Sequence, residues 1–148
     1  MFLKYPDGTF YTGQVWPGWC HFPDFTNPKT RAWWKDQFRA YVNLGLKGFW
    51  NDMNEIATWG NMLPENIELN FEGQRTSMRR GRNIYGFQMA RSTFEATKEL
   101  MDNERPFNLT RSGFAGIQRY AAVWTGDNVA YDEHMMLGVR LVTSMGLT

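Results

Sequence analysis

The sequence predicts an α/β fold in which helices flank a parallel sheet or barrel. Three short apolar runs, residues 46–51, 107–110 and 120–124, each lead into polar side chains. Amphipathic helical patterns precede the first run and separate it from the second. A helix that leads directly into a short buried strand is the unit expected of a parallel α/β sheet or barrel.

Length and composition fit a single domain. The 148 residues are 43% hydrophobic, which is enough to bury a core, and 16% aromatic, with seven Trp. Aromatic rings carry large apolar area, so we expect most of them in the core. The alternative for the remaining rings is a sugar site, where flat faces stack on C–H surfaces.

Charge and cysteine content exclude several kinds of partner and site. The net charge of +1 provides no basic excess, so we expect neither a nucleic-acid nor a membrane partner. Cys20 is the only cysteine, which excludes an internal disulfide framework and a Cys-rich zinc site. The opening residues lack a signal-peptide pattern, and no later segment is apolar enough to span a bilayer. Localisation stays open.

Along the chain, the first segment reaches residue 15 and has strand-like residues around a turn at 6–8, which predicts a hairpin or loop. Residues 16–25 are rich in Pro and aromatics and predict an ordered loop packed by its own rings. Asn27 and Pro28 begin a helix predicted over 29–43, and Gly45 ends it. Its apolar face comprises Trp34, Phe38, Tyr41 and Val42.

The middle of the chain is less regular. Residues 56–82 carry Gly, Pro and the basic run at 79–82, which predicts a long excursion with little regular structure and a solvated basic surface. Helical spacing returns over 83–101, and Pro106 precedes the strand at 107–110. A glycine-bearing loop leads to the run at 120–124. A last helix over 132–145 has an apolar face, and 146–148 resemble the beginning of another strand.

Three of the predicted strands lead to the polar residues Asp52, Arg111 and Asp127. In an α/β barrel the carboxyl ends of all strands point to one face, so we expect these side chains to converge. Two carboxylates on separate strand ends suit glycoside hydrolysis. Asp also ends strands for turn chemistry alone, and the pattern leaves that alternative open.

Five motifs occur in order along the chain. Residues 48–55 read GFWNDMNE, and residues 111–112 (RS) lead through 124–128 (WTGDN). Residues 15–18 (VWPG), 22–28 (FPDFTNP) and 105–107 (RPF) accompany them. Together they resemble glycoside hydrolase family 31, the α-glucosidases and α-xylosidases, over nearly the whole chain.

The resemblance implies a retaining α-glycosidase, most simply an exo-acting α-glucosidase. Asp52 would be the nucleophile, and Arg111 would keep it ionised. Asp127 would be the general acid and base, which requires a less solvated setting for its carboxyl group. The residues implied to line the sugar pocket are Trp16, Trp50, Met53, Arg111 and Trp124. The substrate would be an α-linked oligosaccharide or α-glucoside, and neither metal nor organic cofactor is required.

The family's catalytic part is a (β/α)8 barrel, and residues 1–148 would supply roughly three to four of its middle units. The amino-terminal β-sandwich and the early and late barrel strands are then expected to be absent, and exposed barrel edges could support a homo-oligomer. The chain departs from the family pattern at Ile56, Gly113 and the pair at 121–122. These positions lie beside the site and leave both Asp residues intact.

Other candidates are weaker. We expect Glu55 to bond loop backbone or to support neighbouring site residues, and Arg119 to support the segment that carries Asp127. His21 and His134 lack partners at metal-ligand spacing, and Cys20 beside His21 is unsuited to act as a nucleophile–base pair. Two other readings remain: a non-catalytic sugar-binding relative, and a subdomain that only oligomerises.

Overall fold

The computed structural model describes residues 1–60 and 63–146. Its strands and helices in chain order are β1 (Thr12–Val15), β2 (Gly18–His21), α1 (Pro28–Asn43), β3 (Gly48–Asn51), β4 (Glu68–Leu69), β5 (Thr76–Ser77), α2 (Met78–Gly81), α3 (Tyr85–Leu100), β6 (Phe107–Thr110), β7 (Ala122–Val123) and α4 (Asp132–Met145). Short 3₁₀ turns occupy Phe71–Gly73, Arg82–Ile84 and Ile117–Arg119.

A three-stranded parallel sheet in the order β3-β6-β7 positions the candidate site. Gly48 pairs with Phe107, and Leu109 pairs with Ala122. Helices α1 and α3 pack against each other, and α3 contacts β3 and β6. The prediction of a parallel α/β unit is confirmed, as an open part of a barrel: the strands of the described residues do not close on themselves.

Side chains alternate across this sheet. Asn51, Asn108 and Thr110 are buried on the side of the helices, whereas Trp50 and Phe107 are exposed on the other side. Successive residues of a strand point to opposite faces, so β3 and β6 present one covered face and one open face. The open face corresponds to the inside of a barrel.

Helix α1 begins and ends as the sequence predicts. The Asn27 side chain accepts a hydrogen bond from the Lys29 backbone N–H, and Gly45 has φ 90° just beyond the helix. Trp34 of the predicted apolar face packs on Phe25, and its indole N–H donates to Thr93 Oγ1 of α3 at 3.0 Å. Tyr41 was wrongly assigned to that face: it is exposed, because α3 covers the side of α1 that carries Trp34.

The prediction of an ordered loop over residues 16–25 is wrong for its first half. β2 pairs with β1 in an antiparallel hairpin, with Gly13 opposite Cys20. Trp16 and Pro17 form the turn, and Gly18 has φ 105°, a left-handed conformation that glycine adopts without a side-chain clash. Trp and Pro dominate the composition here and obscure the strand pattern.

The excursion at 56–82 contains short strands β4 and β5, helix α2 and much of the main core. Its regular structure is slight, as predicted, but several of its apolar side chains are buried. The buried cluster comprises Leu3, Tyr11, Phe25, Ile56, Leu63, Ile67, Leu69, Met78 and Tyr85. Arg79 and Arg80 are exposed, so the prediction of a solvated basic surface is confirmed for these two residues.

The aromatic residues do not form the core that composition suggested. Among the aromatic residues that the structure describes, only Tyr11, Phe25 and Tyr85 are buried, and none of the seven Trp is. The rings instead form chains of edge-to-face contacts around the core, such as Trp34 with Phe38 and Phe38 with Phe49. Many of the aromatic side chains are exposed instead of buried.

The last third follows the predicted order with shorter elements. β6 has the predicted bounds, α3 begins two residues later than predicted, and the run at 120–124 contributes only β7. α4 has the predicted bounds, yet none of its described residues is buried and its Met135, Val139 and Val142 are exposed. The strand predicted to begin at 146–148 falls mainly at 147–148, outside the described residues.

No helix within 1–60 and 63–146 is long and apolar enough to cross a membrane.

Candidate active site

The ends of the three parallel strands bring Asp52, Arg111 and Asp127 together. Arg111 Nη1 lies 3.4 Å from Asp52 Oδ1 and 3.2 Å from Asp127 Oδ2. The two carboxylate oxygens therefore flank one nitrogen atom, and their separation cannot exceed the sum of these two distances. The predicted convergence of the three side chains is confirmed.

Glu55 is a third carboxylate on the same guanidinium. Arg111 Nε donates to Glu55 Oε1 at 3.0 Å, and Arg111 Nη2 donates to Glu55 Oε2 at 2.9 Å. This two-point geometry is the strongest form of an Arg–carboxylate pair. The Arg111 pKa is raised, first by the hydrogen bond to Glu55 and then by the charges of Glu55, Asp52 and Asp127, so Arg111 remains a cation.

Asn54 ties the two strand ends to each other. Its Nδ2 donates to Thr110 Oγ1 at 2.8 Å, and its Oδ1 accepts from the Ser112 backbone N–H at 2.9 Å. The Arg111 backbone N–H donates to Asn51 O at 3.0 Å and extends the ladder by one residue. The backbone of Arg111 is thus fixed relative to that of Asp52 by buried hydrogen bonds.

Sequence reasoning did not single out Asn54. Asn and Asp beside each other after a strand are also typical of turns, so the pattern gave no sign that this amide is buried. The sequence feature that could have identified Asn54 is its position, two residues after Asp52 in a motif that begins in an apolar strand.

Asp52 lies between Arg111 and an apolar cleft. Its side chain is 33% exposed, and its buried Oδ1 accepts no hydrogen bond from the described residues. The cleft has a volume of about 230 Å³, and its lining includes Trp16, Phe22, Met53 and Tyr85. Asp52 itself lines this cleft, and a carboxylate at the wall of a cleft can attack an electrophilic carbon of a bound substrate.

Asp127 occupies a more open setting than the sequence led us to expect. Its side chain is 77% exposed and its carboxylate is paired with Arg111, so the expectation of a less solvated setting is wrong for this structure. The physical reason lies in the following element: α4 has no buried described residue, and the segment before it stays at the surface.

The aromatic residues predicted to line the sugar pocket make two ring–ring contacts. Trp50 and Trp124 meet edge to face with ring centroids 5.4 Å apart, and the buried Trp124 Nε1 has no hydrogen-bond partner among the described residues. Trp16 meets Trp59 at 4.9 Å. Trp59 was not predicted, because it follows the motif at 48–55 by four residues and lies in the weakly patterned excursion.

The two histidines have local partners. His21 Nδ1 lies 3.1 Å from Tyr11 O, and His134 Nδ1 accepts from the Val129 backbone N–H at 2.8 Å. Among residues 1–60 and 63–146, no group of three or more His, Cys, Asp or Glu side chains is arranged to hold a metal ion. Arg119 Nε donates to Gly116 O, in the loop between β6 and β7.

Comparison with known families identifies the family of this chain. The family model described as the glycosyl hydrolases family 31 TIM-barrel domain matches residues 1–148. The chain belongs to glycoside hydrolase family 31.

Within family 31 the chain resembles several named α-glucosidases. It is 44% identical to α-glucosidase 2 of Bacillus thermoamyloliquefaciens over 99% of this chain and 19% of that protein. It is 39% identical to human neutral α-glucosidase AB over 99% of this chain and 16% of that protein. The chain therefore spans about a fifth or less of these relatives.

Solved family 31 structures share the fold. The Tris-bound glucosidase II alpha subunit superposes with a TM-score of 0.85 at 33% identity, over 99% of this chain and 16% of that chain. A Flavobacterium johnsoniae dextranase in complex with isomaltotriose superposes with a TM-score of 0.77 at 31% identity, over 86% of this chain and 16% of that chain. The open three-stranded unit is thus part of a family 31 barrel.

Proposed function

We propose that residues 1–148 form part of the catalytic barrel of a longer retaining α-glycosidase, an exo-acting α-glucosidase that hydrolyses terminal α-glycosidic bonds. The observation that carries this proposal is the pair of carboxylates, Asp52 and Asp127, on one nitrogen of Arg111 at the strand ends. Glycosidases use two carboxylates on either side of the scissile bond. Relatives named α-glucosidases support glucose as the sugar.

In the first step Asp52 attacks the anomeric carbon as the glycosidic bond breaks. Arg111 Nη1 places a positive charge 3.4 Å from Asp52 Oδ1, at the group that attacks. The leaving oxygen takes a proton from Asp127, and a covalent glycosyl ester on Asp52 results. Asp127 has to hold that proton, so its 77% exposed carboxyl must become more enclosed once the rest of the barrel and the substrate are in place.

In the second step a water molecule attacks the same carbon. Asp127, now ionised, takes a proton from the water, and the bond to Asp52 breaks. Two inversions restore the α configuration. The retaining mechanism requires the two carboxyl groups about 5–5.5 Å apart, and their shared contact with Arg111 Nη1 is compatible with that spacing.

The sugar would sit against the side chains that the motifs predict. Trp16 and Met53 line the cleft beside Asp52, and Trp50 contacts Trp124. Family 31 structures also include a dextranase and a sulfoquinovosidase, so the choice of glucose rests on the named relatives and not on these rings.

The test is hydrolysis of α-glucosides by the full-length protein that contains this chain. We expect Asp52→Ala to lower kcat/KM at least about 10³-fold for every substrate, because no nucleophile remains. Asp127→Ala should cost about 10²–10⁴-fold for maltose and much less for a nitrophenyl α-glucoside, whose leaving group needs no proton. Asp36→Ala, at an exposed site on α1, is the control and should be unaffected.

Two outcomes would contradict the proposal. Full activity of Asp52→Ala would remove the nucleophile assignment, and equal losses for both leaving groups in Asp127→Ala would remove the acid assignment. The 148-residue chain alone should show no turnover, because the open face of its sheet encloses only part of a pocket.

A further inference from the structure

The nitrogen atoms of the Arg111 guanidinium contact two different sets of carboxylates. Nε and Nη2 both bond Glu55, at 3.0 and 2.9 Å, whereas Nη1 faces Asp52 and Asp127 at 3.4 and 3.2 Å. The short contacts are therefore to a carboxylate with no assigned part in the reaction. The longer contacts are to the two carboxylates that are proposed to react.

We propose that Glu55 is a positioning residue: it clamps Arg111 so that Nη1 lies between Asp52 and Asp127, and its charge offsets the guanidinium charge at both. This inference rests on the proposed glycosidase function and adds a role for a residue outside the two-carboxylate pair.

The geometric part of the argument is that two parallel hydrogen bonds fix the plane of a guanidinium. Arg has several rotatable bonds, and a single contact leaves the head free to turn. The Arg111 side chain is 18% exposed and that of Glu55 is 37% exposed, so the clamp is partly shielded from water. Other arginines of the described chain make single-point contacts with more exposed acids, such as Arg31 with Glu72 and Arg91 with Glu95.

The electrostatic part concerns the balance of charge at the strand ends. Three carboxylates, Asp52, Glu55 and Asp127, face one guanidinium. A neighbouring anion makes a carboxyl group harder to ionise, and a neighbouring cation makes it easier. Glu55 therefore weakens the pull of Arg111 on Asp127, which must carry a proton in the first step.

Charged groups on the packed elements have partners elsewhere. On α1 and α3, Lys35 pairs with Glu99 and Arg91 pairs with Glu95. On the far side of the cleft, the Asp24 carboxylate accepts from Thr26 and from the Asn70 backbone N–H, and Tyr85 is buried with its pKa raised by burial. Among the described residues, Arg111 is the cation that pairs with Asp52 and Asp127, and Glu55 is the third carboxylate on it.

The sign of the expected change follows. Glu55→Gln removes a negative charge and one acceptor, so Arg111 acts with its full charge on both remaining carboxylates. Both then ionise at lower pH. The acidic limb of the kcat/KM profile, which reports ionisation of Asp52, and the alkaline limb, which reports loss of the Asp127 proton, both move to lower pH.

The experiment uses the full-length protein with maltose, whose leaving oxygen takes its proton from Asp127 in the proposed mechanism. For Glu55→Gln we expect kcat to fall roughly 10-fold or more and both limbs to move down by about half a pH unit or more. Glu55→Asp keeps the charge but shortens the clamp, so kcat should fall while the limbs stay near wild type. Glu104→Gln breaks an exposed 2.6 Å pair with Lys47 and serves as the control, with neither effect.

The outcomes separate the two proposals. If the wild-type protein hydrolyses no α-glucoside, both the function and the role of Glu55 are overturned. If it does, and folded Glu55→Gln keeps wild-type kcat or wild-type limbs, the role of Glu55 alone is overturned. Should Glu55→Gln fail to fold, Glu55→Asp decides: wild-type kcat in that variant overturns the clamp.

Discussion

At the scale of single residues, the site depends on side chains that the chemistry does not use. Asp52 and Asp127 are the groups proposed to react, yet their arrangement depends on Arg111, Glu55 and Asn54. The acids and the arginine were predictable because strand ends converge in a parallel α/β unit. The two-point contact of Glu55 was not, since a carboxylate three residues past Asp52 has many local partners to choose from.

Asn54 provides a test of this support. Asn54→Ala leaves the Ser112 N–H without its acceptor, removes the bond that the Thr110 hydroxyl accepts and opens a small cavity. We expect a loss of about 2–3 kcal/mol in the free energy of unfolding. Urea unfolding of the 148-residue chain at fixed protein concentration measures it. Asn43→Ala, at the exposed end of α1, should change stability by less than about 0.5 kcal/mol. Equal effects of the two substitutions would mean that the Asn54 bonds contribute nothing.

At the scale of elements, the sequence predicted those helix ends and strands that depend on residues close along the chain. The cap at Asn27, the stop at Gly45 and the strand at Phe107–Thr110 depend on neighbouring residues, and all three are confirmed. The hairpin β1–β2 is also local, but Trp and Pro in and around its turn obscure the strand pattern. The core of residues 56–82, by contrast, depends on partners far along the chain. Leu3, Ile67 and Met78 meet in one cluster through irregular backbone, which no periodicity reveals.

The junction between α3 and the site shows how closely elements approach. A Cβ at Gly86 would lie 2.7 Å from Ser112 Cβ and 2.8 Å from Asn54 O, which is nearer than real Cβ contacts allow. Gly86→Ala should therefore push the start of α3 away from the strand ends. We expect a loss of about 1–3 kcal/mol in stability.

The matched control is Gly138→Ala in α4, where a Cβ would meet nothing within 4 Å. Alanine favours a helix over glycine, so this variant should be neutral or more stable by up to about 1 kcal/mol. Urea unfolding of both variants gives the comparison. A tolerated Gly86→Ala would show that α3 can shift without cost, and the close approach would then have no bearing on the position of Arg111.

At the scale of the whole molecule, the described chain has two apolar surfaces without a cover. One is the open face of the sheet, where Trp50 and Phe107 are exposed, and the other is the outer face of α4. Within the described residues, β3 and β7 each have a strand on one side only. Such edges and patches are where further chain packs. We propose that later and earlier strands of a longer protein cover them.

In the isolated chain these surfaces should drive self-association, since strand edges and apolar patches pair with another copy when nothing else covers them. Light scattering should give a mass above the 17.3 kDa of one chain, rising with concentration. The double variant Phe107→Glu with Val139→Glu places a charge on each surface and should lower that mass. Gln37→Glu adds the same charge on the exposed side of α1 and should leave it unchanged. A monodisperse monomer at every concentration would show that the open sheet face and α4 are tolerated in water. The inactivity expected of the chain alone would then have to come from missing pocket walls and not from aggregation.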